Sequence, residues 1–242
     1  MMTTLVVGAS GATGKRLVEQ LLNRGQNVRV IVRPSSKIPD TWENNDKISI
    51  IKAGISEMGL EEMVGYVKGC HGIASCLGHN LTLKGVFGKP RRLVAGAVTL
   101  LCAAIKECSP DEPVRFVLMN TVGNRNRDLN EPVSIGHRLI LALIRLLVPP
   151  LPDNEKAADF LRLKIGQKNT WIEWVAVRPD TLIDQDRVTE YELYASPTRS
   201  AIFNPGKTSR VNVGHFMARL LLENDLWAQW KGQMPVIYNK AD

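Results

Sequence analysis

The chain has 242 residues, 44% of them hydrophobic and 23% charged, enough for one buried core and outside the range of disordered, collagenous or membrane-embedded chains. The formal net charge of +7 points to anionic partners, yet the 31 Lys and Arg are interspersed with 24 Asp and Glu, aromatic residues make up 6%, and no basic tract forms. Nucleic acid is therefore not an expected partner, whereas small phosphorylated molecules are.

Apolar, β-rich runs at 4–8, 27–32, 48–52, 72–77, 114–120, 171–177 and 235–238 alternate with helical patterns near 13–24, 57–68, 90–108, 154–167 and 213–223. Continuous apolar strands separated by helices predict an α/β fold, a doubly wound parallel sheet covered on both faces. The first strand starts within five residues of Met1, which leaves no room there for a secretory signal. No linker or repeat divides residues 1–242, so a single domain is expected. After Pro179 the alternation loosens into YELYAS, AIFNPGK and SRVNV, and residues 180–234 are expected to form a small substrate lobe beside the carboxyl edge of the sheet.

The first strand runs into GASGATG and then an amphipathic helix. In that context the glycines have separate roles. Gly8 lets the chain turn off the strand, Gly11 lets the backbone approach a pyrophosphate, and Gly14 lets the helix pack closely. Bare N–H groups at Ala12, Thr13 and Gly14 and the positive end of the helix dipole then face the phosphates, with hydroxyls from Ser10 and Thr13 as further donors. The second strand ends Val32-Arg33-Pro34-Ser35-Ser36-Lys37. An NAD binder usually places a carboxylate there for the ribose hydroxyls. Here Arg33 can grip a 2′-phosphate, with Ser35 and Ser36 beside it, so NADP(H) is expected in preference to NAD(H).

Further along, Cys70, Cys76, Cys102 and Cys108 show no CxxC pair and no zinc spacing, so no metal site is expected and a reducing, cytoplasmic setting is the default. Glu61 and Glu62 open a helix at its favourable end. The stretch 134–152 is apolar almost all round. It reads either as a core or dimer-facing helix or as a cover for a lipophilic substrate. Its densest run, LILALIRLLV, carries Arg145 and is too short to span a bilayer. Trp171, Trp174, Trp227 and Trp230 read as packing residues. Monomer and homodimer both stand open.

GxxGxxG, an Arg closing the second strand and a strand running into Arg178-Pro179 together resemble the short-chain dehydrogenase/reductase superfamily. More narrowly the chain resembles its atypical NAD(P)H-binding branch, which includes NmrA-like proteins and biliverdin reductase B-like flavin reductases, from Leu5 to about Tyr238. The resemblance implies further cofactor contacts at the ends of the third to sixth strands. The family's third strand often ends Gly-Asp; here Ala53-Gly54 stands there, leaving Ile55 and the backbone to face adenine. Leu77 and Gly78 follow the fourth strand, with His79 beside them, facing ligand or solvent. Asn120 and Thr121 end the fifth strand where family serines sit, and Arg178, Pro179 and residues 180–183 are expected to wall the nicotinamide.

The family's proton-handling machine is YxxxK. PDNEKAADFLR matches the lysine with Lys156 and the trailing acid with Asp159, but puts Pro152 in the tyrosine position, and no tyrosine occurs between Tyr66 and Tyr191. Three readings follow. NADPH reduces a flat conjugated acceptor, flavin- or quinone-like, with Thr121 and Lys156 near the nicotinamide ribose. Alternatively His137 or Tyr191 replaces the acid. In the third, the protein binds NADP(H) without chemistry and senses redox state, as NmrA-like members do.

Overall fold

The computed structural model describes residues 2–79, 92–129, 131 and 150–240. The apolar stretch at 134–152, apart from its last three residues, and His137 lie outside the described residues.

The expected strands form with small shifts at their ends: β1 (Thr3–Val7), β2 (Asn27–Val32), β3 (Ile48–Lys52), β4 (Gly72–Ser75), β5 (Val114–Met119), β6 (Ile172–Pro179) and, near the end of the chain, β10 (Val236–Asn239). Three short strands, β7 (Thr181–Ile183), β8 (Tyr191–Tyr194) and β9 (Lys207–Ser209), fill the segment where the pattern loosened. The central eight-stranded sheet has the order β3-β2-β1-β4-β5-β6-β10-β8. All neighbours are parallel except β10 and β8, which pair antiparallel. The order reverses direction between β1 and β4, the place where open α/β sheets leave a crevice at their carboxyl ends.

The helices are α1 (Ala12–Asn23), the short α2 (Asp40–Glu43), α3 (Leu60–Val67), α4 (Leu93–Cys108), α5 (Pro150–Phe160), α6 (Arg210–Leu222) and α7 (Asn224–Trp230). Both faces of the sheet are closed by apolar packing. One carries Met63 and Val67 of α3, Val98 and Leu101 of α4 and Leu161 against Val7, Ile73 and Phe116. The other carries Leu17 and Leu21 of α1 and Phe216 and Leu220 of α6 against Val6, Val30 and Val175. Trp174, Trp227 and Trp230 are buried in these layers.

Three local features depart from the pattern. α5 is described from Pro150 onward, ahead of the start expected at 154. It runs on into a π turn at Leu161–Ile165 that closes on Gly166 at φ +70°, whose N–H donates to Leu161 O at 2.9 Å. α6 begins at Arg210, where SRVNV read as strand or turn; the Ser209 hydroxyl accepts the Asn212 N–H at 3.2 Å and caps the helix. Of residues 180–234, β8 joins the main sheet, α6 covers α1, and β7 pairs with β9 as a separate two-stranded ribbon.

α1 and α6 pack so closely that a Cβ at Gly214 would fall 2.8 Å from Leu17 N and 2.9 Å from Arg16 C, both backbone atoms that cannot move aside cheaply. Gly214→Ala is expected to cost about 1–3 kcal/mol of unfolding free energy, the usual range for overpacking, measured by urea titration.

Candidate functional site

The carboxyl edge of the sheet is built around one turn. Gly8 leaves β1 at φ +73°, and a Cβ there would meet the backbone of Cys76 and Leu77, leaving β4, at 2.6–2.7 Å. A Cβ at Gly14 would fall 2.2 Å from Gly8 O. The first turn of α1 is thereby seated on the loop that precedes it. Gly11 is the N-cap, its N–H donating to Gly8 O at 3.1 Å. No side chain caps α1 and no acid stands in its first turn. Gly11 and Ala12 are exposed, while Thr13 is buried at the root of the helix. An uncapped helix start whose first residues, Gly11 and Ala12, are exposed, over a cradle that any side chain would fill, fits a phosphate-bearing ligand.

The next loop lies against this one. The Ser10 hydroxyl donates to Ser36 Oγ at 3.2 Å, and Ser36 N–H donates to Arg33 O at 2.9 Å, closing a turn over Arg33–Ser36. Arg33 and Ser35 are exposed, and Arg33 makes no ion pair among the described residues. On the third strand the expectation for Ile55 is corrected. Its side chain is buried in the core with Leu5, Val7 and Ile31. Over Gly54 lies the Glu57 carboxyl, at 3.2 Å from where a Cβ would stand. A carboxylate is thus present at this strand end three residues later than the family's position, a shift that GISE in the sequence left unread.

Beyond β4, Leu77 is half-buried and Gly78 exposed. His79 faces neither solvent nor an open site. Its side chain is 5% exposed, with Nε2 2.8 Å from Asp153 Oδ2. Asp153 also accepts the N–H groups of Val94, at 2.8 Å, and Ala95, at 3.1 Å. One buried carboxylate from α5 therefore caps α4 and holds the loop after β4.

At the end of β5, Asn120 is buried. It donates from Nδ2 to Asn154 O at 3.0 Å and accepts the Thr121 N–H at 2.8 Å. The Thr121 hydroxyl accepts the Gly123 N–H at 3.3 Å. Leu151 of α5 approaches Gly123, so the Leu151–Asn154 side of the helix faces this loop. Lys156 follows Asn154 by two residues, about 200° round the helix. The structure does not bring Lys156 to Thr121; the lysine lines a groove between α3, α4 and α5.

Arg178 is also corrected. It is 0% exposed and spends all five N–H donors on protein. Nε donates to Met234 O (2.7 Å), Nη1 to Asn124 O (3.0 Å) and Glu131 Oε2 (3.2 Å), and Nη2 to Glu131 Oε1 (2.8 Å) and Ala195 O (3.0 Å). It ties three loops together and offers nothing to a ligand. Pro179 O accepts the Val122 N–H at 3.1 Å, so the ends of β5 and β6 lie side by side. Asp180 follows, buried, accepting the N–H groups of Thr181 and Gly206, both at 2.8 Å. Burial raises its carboxyl above the ordinary range, against the pull of those two N–H groups. Tyr191 is no proton donor to this edge. Its hydroxyl lies 2.9 Å from His215 Nδ1 and 3.5 Å from Arg219 Nη1, on the α6 side of the sheet.

With this geometry in hand, comparison with known proteins is direct. The profile of a family described as NAD(P)H-binding matches residues 8–224. A chloroplastic protein of Arabidopsis thaliana, itself uncharacterised, is 42% identical over 62 residues, which spans 25% of this chain and 22% of that protein. The oxidoreductase ylbE of Lactococcus lactis superposes with a TM-score of 0.71 at 14% identity, covering 99% of this chain and 91% of that one. A short-chain dehydrogenase/reductase of Veillonella parvula, in complex with NADP, gives 0.70 at 14% identity over 99% and 95%. A Streptococcus pneumoniae protein named for NADH-flavin reductase activity gives 0.66 at 19% over 99% and 100%. Identities this low show a shared fold.

Two outcomes follow from the buried groups. Glu131→Ala leaves Arg178 charged and uncompensated in the interior, which should cost about 3–5 kcal/mol in a urea titration. Asp180 should titrate above its ordinary value near 3.8 when followed by carboxyl 13C resonance. The folded state then holds the extra proton, so this group's contribution to stability falls as pH rises from the unfolded value through the folded one, and Asp180→Asn should remove that part of the slope.

Proposed function

The chain belongs to this NAD(P)H-binding family, and from that premise we propose that it binds NADP(H) in preference to NAD(H) and reduces a flat, conjugated small-molecule acceptor, flavin- or quinone-like. The observation that carries the reading is the pairing of an uncapped α1, set over the Gly8–Gly14 cradle, with Arg33 at the neighbouring strand end. The N–H groups of Ala12, Thr13 and Gly14, with Ser10, would hold the pyrophosphate, while Arg33, Ser35 and Ser36 would hold the 2′-phosphate. Gly54, Leu77 and Gly78 border the crevice with backbone and small surfaces. Asn120, Thr121 and Pro179, side by side at the ends of β5 and β6, would receive the nicotinamide end.

When bound, the cofactor supplies a hydride. The protein's part is to set an acceptor against it and to keep water from the transfer. A ketone would also need an acid for the forming alkoxide. Pro152 stands where the family has tyrosine, and Tyr191 is engaged with His215 and Arg219. A conjugated ring spreads the incoming charge and takes its proton from water, so it suits a chain in which the family's tyrosine is replaced by Pro152. Residues 180–234, with β7 and β9 beside the end of β6, are the part of the chain that would shape the acceptor's side of the crevice.

NADPH is expected to bind at least tenfold more tightly than NADH, and Arg33→Asp should reverse that order, read by fluorescence titration of both dinucleotides. Consumption of NADPH should appear with FMN, simple quinones or dichlorophenolindophenol. Tight NADPH binding with no turnover on any of them would favour a non-catalytic redox sensor instead.

A further inference from the structure

The helices α3, α4 and α5 flank an open groove of about 530 Å³. That lies within the roughly 300–1,000 Å³ range of small-molecule pockets. Its walls are mostly apolar: Ala95, Gly96 and Leu100 from α4, and Phe160 from α5. Small residues on α4 deepen it, and nothing lies within 4 Å of where a Cβ at Gly96 would stand.

Two cations stand on this groove, Arg92 at the start of α4 and Lys156 on α5. Neither makes an ion pair among the described residues. The acids of α5 are committed elsewhere. Asp153 is taken by His79 and the N–H groups of Val94 and Ala95, Asp159 by Arg127 and Arg162, and Glu155 is buried. Unpaired positive charge beside an apolar trough calls for a ligand that is negative at one end and hydrocarbon along the rest. A second copy docked here by a two-fold axis would bring its own Arg92 and Lys156, adding cations to a groove that lacks acids.

We propose that this groove binds an amphipathic organic anion, a carboxylate on a hydrocarbon chain, with Lys156 and Arg92 receiving the carboxylate and the Ala95–Gly96–Leu100–Phe160 surface receiving the chain. None of the residues lining the groove belongs to the glycine turn or to the Arg33–Ser36 turn. Isothermal titration with dodecanoate, and with dodecyltrimethylammonium as the cationic counterpart, tests it on the full chain. The expected result is saturable one-to-one binding of dodecanoate alone, weakening with added salt. Lys156→Gln should weaken it roughly three- to tenfold. Gly96→Leu, which fills the groove with a good helix former, should abolish it and leave NADPH affinity unchanged. Equal binding of both amphiphiles, no binding of either, or binding untouched by both substitutions would overturn the assignment. So would a dimer in sedimentation that Gly96→Leu splits, since the face would then belong to a second copy.

Discussion

The peptide carbonyl of Gly8 is a point where the backbone of two elements meets with no room for a side chain. On one side the first turn of α1 sits so close that Gly14 has no room for a methyl group; on the other the backbone leaving β4 presses on Gly8 itself. β1, α1 and β4 are therefore fixed relative to one another by backbone contact, without side chains as spacers. The order of the sheet reverses at this junction, so the same squeeze that joins the elements also sets the floor of the crevice. Gly11 and Ala12 at the start of α1 are exposed, and no side chain caps the helix there.

What the sequence disclosed and what it withheld divide by range. Features set within a few residues were legible: the GASGATG turn, the alternation of strand and helix, and the end of β2 at Val32 with Arg33 beyond it. Features set by partners far along the chain were not. Asp153, just ahead of the helix expected at 154–167, carries no local sign that it caps a helix 58 and 59 residues away. Arg178-Pro179 reads as a wall of the crevice, yet the guanidinium turns inward to Glu131 and to three carbonyls, because β10 and the segment after β8 deliver Met234 and Ala195 to it. Lys156 shows the limit of motif spacing. An interval of four fixes a helical phase relative to a tyrosine that is absent, and with Pro152 in its place nothing holds that phase to the crevice.

The charged residues along the carboxyl edge are largely engaged with the protein itself. Arg178 with Glu131, Asp180 with two amides, and Asp153 with His79 brace loops in the interior, where breaking one partner is far costlier than at the surface. Arg33, near the glycine turn, and Arg92 and Lys156, on the groove between α3, α4 and α5, are exposed and make no ion pair among the described residues.

The seat of Gly214 on Arg16 and Leu17 has a bearing on biosynthesis. The stripe of α1 formed by Leu17, Val18 and Leu21 is covered by residues of α6 nearly two hundred positions downstream, and β10, later still, ties in β6 and β8. A ribosome therefore extrudes the N-terminal βα unit with its oily side bare and its covering helix unmade. Contacts of such sequence separation form slowly, so this half cannot close until α6 and β10 have been made, and until then its apolar stripe is open to aggregation.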